Sequence, residues 1–313
     1  MSFERMTITD LVSLMADTMR HLRDLDPFLR MFSIVCFFSI GALSQSPAAM
    51  KNSADPYPAL RQMIGGSKEE KREALFQIRN LHSETASRIA VPALSDPDEM
   101  VRATAAGSIV FLKPAEAAAL LRPLLNDKSD FVRREAAYAA GKTGAGLNTD
   151  VLVRLAEKDK VNEVRSAAVI ALGETGDAGS LDALTGILSK KPNEDNEFLR
   201  RSAARAIGQI FQMARTGVTA VNTPQNFLPD KYKQIPDGAS VKLQLVIASR
   251  SVTALLRVMN NRSESDDTRR EAAYALGAIG DNSAISALRA NLGSPDPYLT
   301  EISKEALLKI EHP

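Results

Sequence analysis

From Asp130 to Gly144 the chain reads DFVRREAAYAAGKTG. Counted from Val132 as position 0, small apolar residues stand at +4, +7 and +8: Ala136, Ala139 and Ala140. The same three positions hold Ala168, Ala171 and Leu172 when counted from Val164, and Ala203, Ala206 and Ile207 when counted from Leu199. This spacing follows the 3.6-residue period and marks one face of an α-helix. Alanine favours the helix and lets neighbours approach closely. A further copy surrounds Arg269 (TRREAAYALGAIG), a looser one Arg102 (VRATAAGSIVFL), and degenerate ones Lys71 (KREALFQI) and Thr300 (LTEISKEALLKI). Position +1 therefore falls at 71, 102, 133, 165, 200, 269 and 300, in steps of 31, 31, 32, 35, 69 and 31. Five steps are one helical hairpin long and the sixth is one hairpin plus an insertion. The pattern predicts an all-α fold, an α-solenoid of about seven hairpins over residues 57–313.

Each copy is preceded by a shorter apolar stretch, at 86–94, 115–125, 149–156 and 181–188, with polar turns between (SDPDE at 95–99, NDKSD at 126–130, EKDKVNE at 157–163). Pro92 and Pro123 are placed to kink these first helices or to sit near their start. Gly144, Gly176 and Gly280 share position +12, where a left-handed cap wants glycine. Gly141, Gly173, Gly208 and Gly277 share +9, and capping is taken to explain this column too.

Three stretches break the period. Residues 212–240 carry Pro224, Pro229 and Pro236, together with Phe227 and Tyr232; an inserted loop packed over one face is expected. A longer first helix follows at 241–259. The outermost copies are more polar, as the ends of a stacked array require. Residues 31–43 (MFSIVCFFSIGAL) form an apolar run too short for an ordinary membrane span. Arg20, Arg23 and Arg30 precede it and Ala42-Leu43-Ser44 closes it, the layout of a secretory signal peptide. Residues 1–44 are thus read as a leader region, with Met19 as the natural start and Gln45 as the mature terminus; a retained anchor is the alternative. Residues 45–56 are read as a disordered spacer.

The repeated units resemble HEAT-like repeats of the short phycobilisome-lyase type. SDPDEMVRATAA, VRSAAVIALGETGD and TRREAAYALGAIGD carry that resemblance: an Asp-Pro turn, Val-Arg, paired alanines, Ala-Leu-Gly and a Gly-Asp end. It implies the fold and little about activity, since the repeat serves many unrelated proteins. Phycobilisome lyases attach bilins to cysteines of light-harvesting proteins inside the cell, which an exported chain should not inherit. Iron-dependent hydroxylases built from HEAT-like repeats need several His-Glu pairs, and no such pair occurs here.

Composition narrows the chemistry. The formal charge is +1 and tryptophan is absent, so bulk electrostatics favours neither nucleic acid nor a membrane surface. The one cysteine, Cys36, lies in the apolar run, and the three histidines, His21, His82 and His312, stand far apart. No zinc constellation, phosphate loop or dinucleotide fingerprint is present. No catalytic residue, cofactor or metal ligand is assigned.

Two columns remain. Arg102, Arg133, Arg165, Arg200 and Arg269 at +1 are expected to form a structural ladder with turn acids of the following repeats, with Asp98, Asp130, Glu163, Asp195 and Asp267 as partners. Positions +2 (Arg72, Arg134, Arg201, Arg270) and +6 (Phe76, Tyr138, Arg205, Tyr274) point away from the apolar face and are expected to line the concave surface. With Phe227 and Tyr232 they are the candidate partner-binding residues, Arg and Tyr being enriched at interfaces. The resulting expectation is an exported, non-catalytic scaffold that binds a protein or peptide on its concave face. The alternatives are a lyase-like, chromophore- or protein-modifying factor, and a nucleic-acid-binding HEAT-like protein.

Overall fold

The computed structural model describes residues 56–144, 146–217 and 245–312. Outside them fall the expected leader and spacer, Phe227, Tyr232 and most of the inserted loop. Tyr57–Pro313 is one compact unit. Its fourteen described α-helices are α1 Pro58–Ile64, α2 Lys68–Asn80, α3 Glu84–Ala90, α4 Glu99–Ser108, α5 Pro114–Leu124, α6 Asp130–Gly141, α7 Thr149–Lys158, α8 Asn162–Thr175, α9 Leu181–Leu188, α10 Glu197–Thr216, α11 Leu245–Asn260, α12 Asp266–Ile279, α13 Ile285–Ala290 and α14 Pro297–Glu311. Successive pairs are hairpins, and among the described residues there is no strand. The fold is an α-solenoid.

Two boundaries differ from expectation. The first-helix stretch at 86–94 is α-helical only to Ala90 and tightens to a 3₁₀ turn over Val91–Ser95, because Pro92 has no N–H for the α ladder. Residues 212–216, read as the start of the loop, belong to α10, which runs to Thr216 and closes on Gly217 at φ 73°. Gln212 is buried and residues 213–216 are partly buried. No described helix is long and apolar enough to cross a membrane.

The glycines divide into two classes. Gly176 and Gly280 are left-handed caps, at φ 68° and 77°, and Gly144 also has positive φ. The +9 column lies inside or at the last residue of the helices and serves packing, which corrects the capping explanation. A Cβ on Gly141, Gly173, Gly208 or Gly277 would lie 3.0, 2.8, 3.0 or 2.7 Å from the Cα of Ala171, Ala206, Ala275 or Ala306. Each of those alanines is +7 in the following repeat. Glycine +9 of one second helix thus receives alanine +7 of the next, backbone against side chain. The second helices consequently pack intimately along the array, while successive first helices touch sparsely. That asymmetry is the packing that the expected concave row of second helices requires.

The ladder exists with a different set of acids. Arg102 donates from Nε and Nη2 to Asp127 at 2.8 and 2.9 Å, and its Nη1 reaches the carbonyls of Asp96 and Pro97. Arg133 repeats this with Asp159, at 2.8 and 3.0 Å, and Lys71 with Asp96 at 2.7 Å. Arg200 pairs with Glu264 across the insertion, both side chains 2% exposed. The partner is an earlier acid of the next turn, not the later one expected from sequence. The later acid is engaged elsewhere: Asp98 caps α4 through the Met100 and Val101 amides, and Asp267 takes Arg201 and Arg270. Arg165 has no such acid, since Lys190 and Lys191 stand at the equivalent spacing; it bonds the Ala156 carbonyl and Asn162. Arg269 ends the ladder on the Asn291 amide oxygen.

Burial pushes the Asp96, Asp127 and Asp159 carboxyls upward, but their basic partners outweigh it and hold them below the ordinary range. A depressed carboxylate stabilises the fold above its unfolded pKa, about 3.9, and that contribution is lost as pH falls through the lower folded values. The melting temperature is therefore expected to fall steeply below about pH 4. Asp127→Asn and Asp159→Asn together should flatten that limb, as read by thermal melts between neutral and acid pH.

Candidate functional site

The inner row is built from second helices, so its side chains are set by the same register that aligns Gly +9 with Ala +7. Arg72 and Phe76 are exposed on α2, Phe76 at 59%. Arg134 is half-buried, lies over the Phe131 ring at 4.8 Å and donates to Glu135 at 3.0 and 3.1 Å. Tyr138 is half-buried beside it. Arg201 stacks over Phe198 at 4.9 Å and bonds Asp267 at 2.8 Å. Arg205 pairs with Glu271 at 2.8 Å. Arg270 forks onto Asp296 at 2.7 and 2.9 Å, also meets Asp267, and faces the Tyr298 ring.

The structure therefore brings these arginines into one row but matches Arg134, Arg201, Arg205 and Arg270 each to a carboxylate. A free basic stripe is not what the inner face offers. Tyr274 departs most from its expected exposed position: it is 6% exposed. Its ring fills the space above Gly208, whose missing side chain leaves the room.

Around Tyr274 lies a cluster that the sequence did not single out. The Tyr274 hydroxyl and the Gln212 side-chain carbonyl are buried with no hydrogen-bond partner. Lys309 stands over the Tyr274 ring, its Nζ 5.8 Å from the centroid. Arg215 lies near enough to Tyr274 and Lys309 for its charge to act on both. Burial lowers the pKa of Arg215 and of Lys309, Lys309 being pushed down further by Arg215 and held up in part by Glu305. Burial, then the charge of Glu271, raises the Tyr274 phenol well above its usual value. The sequence signal was the length of α10: its last turns, beyond the ordinary repeat, supply Gln212 and Arg215.

The HEAT-repeat family pattern matches residues 57–142, 132–208 and 239–308. The chain is a HEAT-repeat protein. Among characterised proteins, this HEAT array is 26% identical over 269 residues to deoxyhypusine hydroxylase-B of Oryza sativa subsp. japonica, covering 78% of this chain and 87% of the relative. Solved structures with the same kind of fold include human deoxyhypusine hydroxylase in complex with glycerol (18% identity, 92% of each chain, TM-score 0.36). The complex of CpcE and CpcF of phycocyanin lyase from a Nostoc species is another (18% identity, 85% of this chain and 92% of that one, TM-score 0.44). These structural likenesses concern the fold alone.

The rice relative corrects the functional expectation. The expectation of a non-catalytic scaffold, a chain without enzymatic kinship, is overturned by an alignment that spans 78% of this chain and 87% of a protein named as an enzyme. It equally corrects the dismissal of hydroxylases as a point of resemblance.

The metal that such hydroxylases call for does not fit the described residues. His82 ends α2's turn with its ring edge-on to Phe111 at 4.7 Å, and His312 follows α14. No group of three or more His, Cys, Asp or Glu is placed to hold a metal among the described residues. Positions +2 and +3 of the second helices carry the pairs Arg72-Glu73, Arg134-Glu135 and Arg270-Glu271. A guanidinium stays protonated and has no lone pair to give a metal.

Proposed function

We propose that this HEAT array engages a polypeptide substrate of the protein-hydroxylase class, recognising a deoxyhypusine-type side chain along its inner row. The single observation that carries this reading is the alignment with the rice hydroxylase, which spans 78% of this chain and 87% of the relative and so extends well beyond one repeat. HEAT repeats as a class mediate protein interactions, and the inner row supplies pre-stacked arginines and aromatic rings of the kind that form interface anchors. The proposal concerns recognition. No metal-dependent step is assigned, because the donor set described above does not fit a metal.

The test uses the full chain and two polypeptides identical except that one bears deoxyhypusine where the other bears lysine. Tighter binding of the deoxyhypusine form, at least about tenfold by calorimetry, supports the reading. Equal affinity for the two, or no binding, overturns it. Intact-mass measurement of the polypeptide after incubation with ferrous iron reads hydroxylation separately.

A further inference from the structure

We propose that the inner side of the last three second helices holds an oxyanion, a carboxylate or a phosphate, between Arg215, Lys309 and the Tyr274 hydroxyl. This does not rest on the hydroxylase reading. Its first support is the distribution of unsatisfied groups. Among the described residues, the buried side-chain polar atoms without a hydrogen-bond partner are Gln212 Oε1, Tyr274 Oη and Ser303 Oγ, one each on α10, α12 and α14. A buried hydroxyl left unpaired costs free energy, so such groups ask for a missing water or ion.

The second support is charge. Elsewhere in the array the half-buried cations meet an acid or, at Arg165, backbone and amide oxygens; Arg215 and Lys309 show no ion pair, although each stands within electrostatic reach of the other. The acids facing the cluster are Glu271, bound to Arg205 at 2.8 Å, and Glu305, one turn before Lys309 on α14. Glu271 pairs with Arg205 and Glu305 acts on Lys309, whereas no acid acts on Arg215, whose positive charge has no counter-ion. A single oxyanion balances it, and the Tyr274 O–H, which has no acceptor, is free to donate to it. Charge-assisted bonds of this kind are the strong ones.

Oxyanion binding should appear as a saturable rise in melting temperature with inorganic phosphate at constant ionic strength, chloride serving as the control. Tyr274→Phe removes the donor and leaves the ring over Gly208, so the fold should be kept or slightly stabilised while the apparent affinity falls at least about tenfold. Arg215→Gln should do the same. A peptide ending in a free carboxylate, compared with its C-terminal amide, distinguishes a polypeptide source from free phosphate; saturable binding of either confirms the site. A phosphate effect no larger than that of chloride, with no carboxylate peptide bound, overturns the proposal. An anion effect of unchanged affinity in both Tyr274→Phe and Arg215→Gln overturns it as well.

Discussion

Glu264→Ala is expected to destabilise the array by about 3–5 kcal/mol, the largest loss of any single charge removal. Glu264 faces Arg200, and both side chains are 2% exposed. Arg200 also donates to the Leu188 carbonyl at 2.7 Å and to that of Lys190, so it is held in place whether or not the acid is there. Removing Glu264 leaves a guanidinium in the interior with carbonyl dipoles but no counter-charge, and that orphaned ion is what costs so much. The pair itself is a different matter. Arg200→Met combined with Glu264→Leu removes both charges, and such replacements are often neutral or stabilising. Urea denaturation should therefore rank Glu264→Ala well below the wild type and the double variant close to it. A loss under about 1 kcal/mol for Glu264→Ala, the range of exposed pairs, would mean that water reaches Arg200 in solution. The position matters because this rung joins the repeats on either side of the insertion, 64 residues apart in sequence.

Gly277→Ala should be the next most damaging small change, costing about 1–3 kcal/mol by overpacking. In an isolated helix the same substitution would gain up to about 1 kcal/mol, so its sign is decided entirely by the neighbour. The new Cβ would lie 2.7 Å from both Cα and Cβ of Ala306, atoms that yield only if α14 moves away from α12. Gly186 on α9 is the control: a Cβ there meets nothing within 4 Å and the residue is exposed. Gly186→Ala should be neutral or gain about 0.5–1 kcal/mol. Thermal melts of the two variants side by side check the argument, and equal effects would show that the +9 glycines are not packing positions.

The candidate site was legible only in part. The +2 arginines were visible as a column, and so was their row along the array. Their neutralisation was visible only in part: Glu135, which takes Arg134, adjoins it, whereas Asp267 and Asp296, which take Arg201 and Arg270, sit 66 and 26 residues further on. Tyr274 shared +6 with Phe76, yet one is buried and the other exposed. The difference is Gly208 on the preceding second helix, a feature of the pair of helices rather than of either one. Arg215 and Lys309 carried no repeat signal, since the meeting of two cations beside a phenol depends on how far α10 overruns its neighbours.

The sequence by itself determined the helical hairpin, its period, the number of repeats and the left-handed caps at +12. Those follow from local spacing and from the conformational freedom of glycine, and neither needs a partner in space. It even contained the ladder, once the offset is known: 25 residues separate Lys71 from Asp96 and Arg102 from Asp127, and 26 separate Arg133 from Asp159. Only the tertiary structure chose that offset, turned the +9 glycines from caps into helix-crossing points, and cancelled the basic stripe. The physical reason is common to all three. Each is a contact between one repeat and the next, fixed by how closely alanine lets two backbones approach, and a period read along one strand of text carries no measure of that distance.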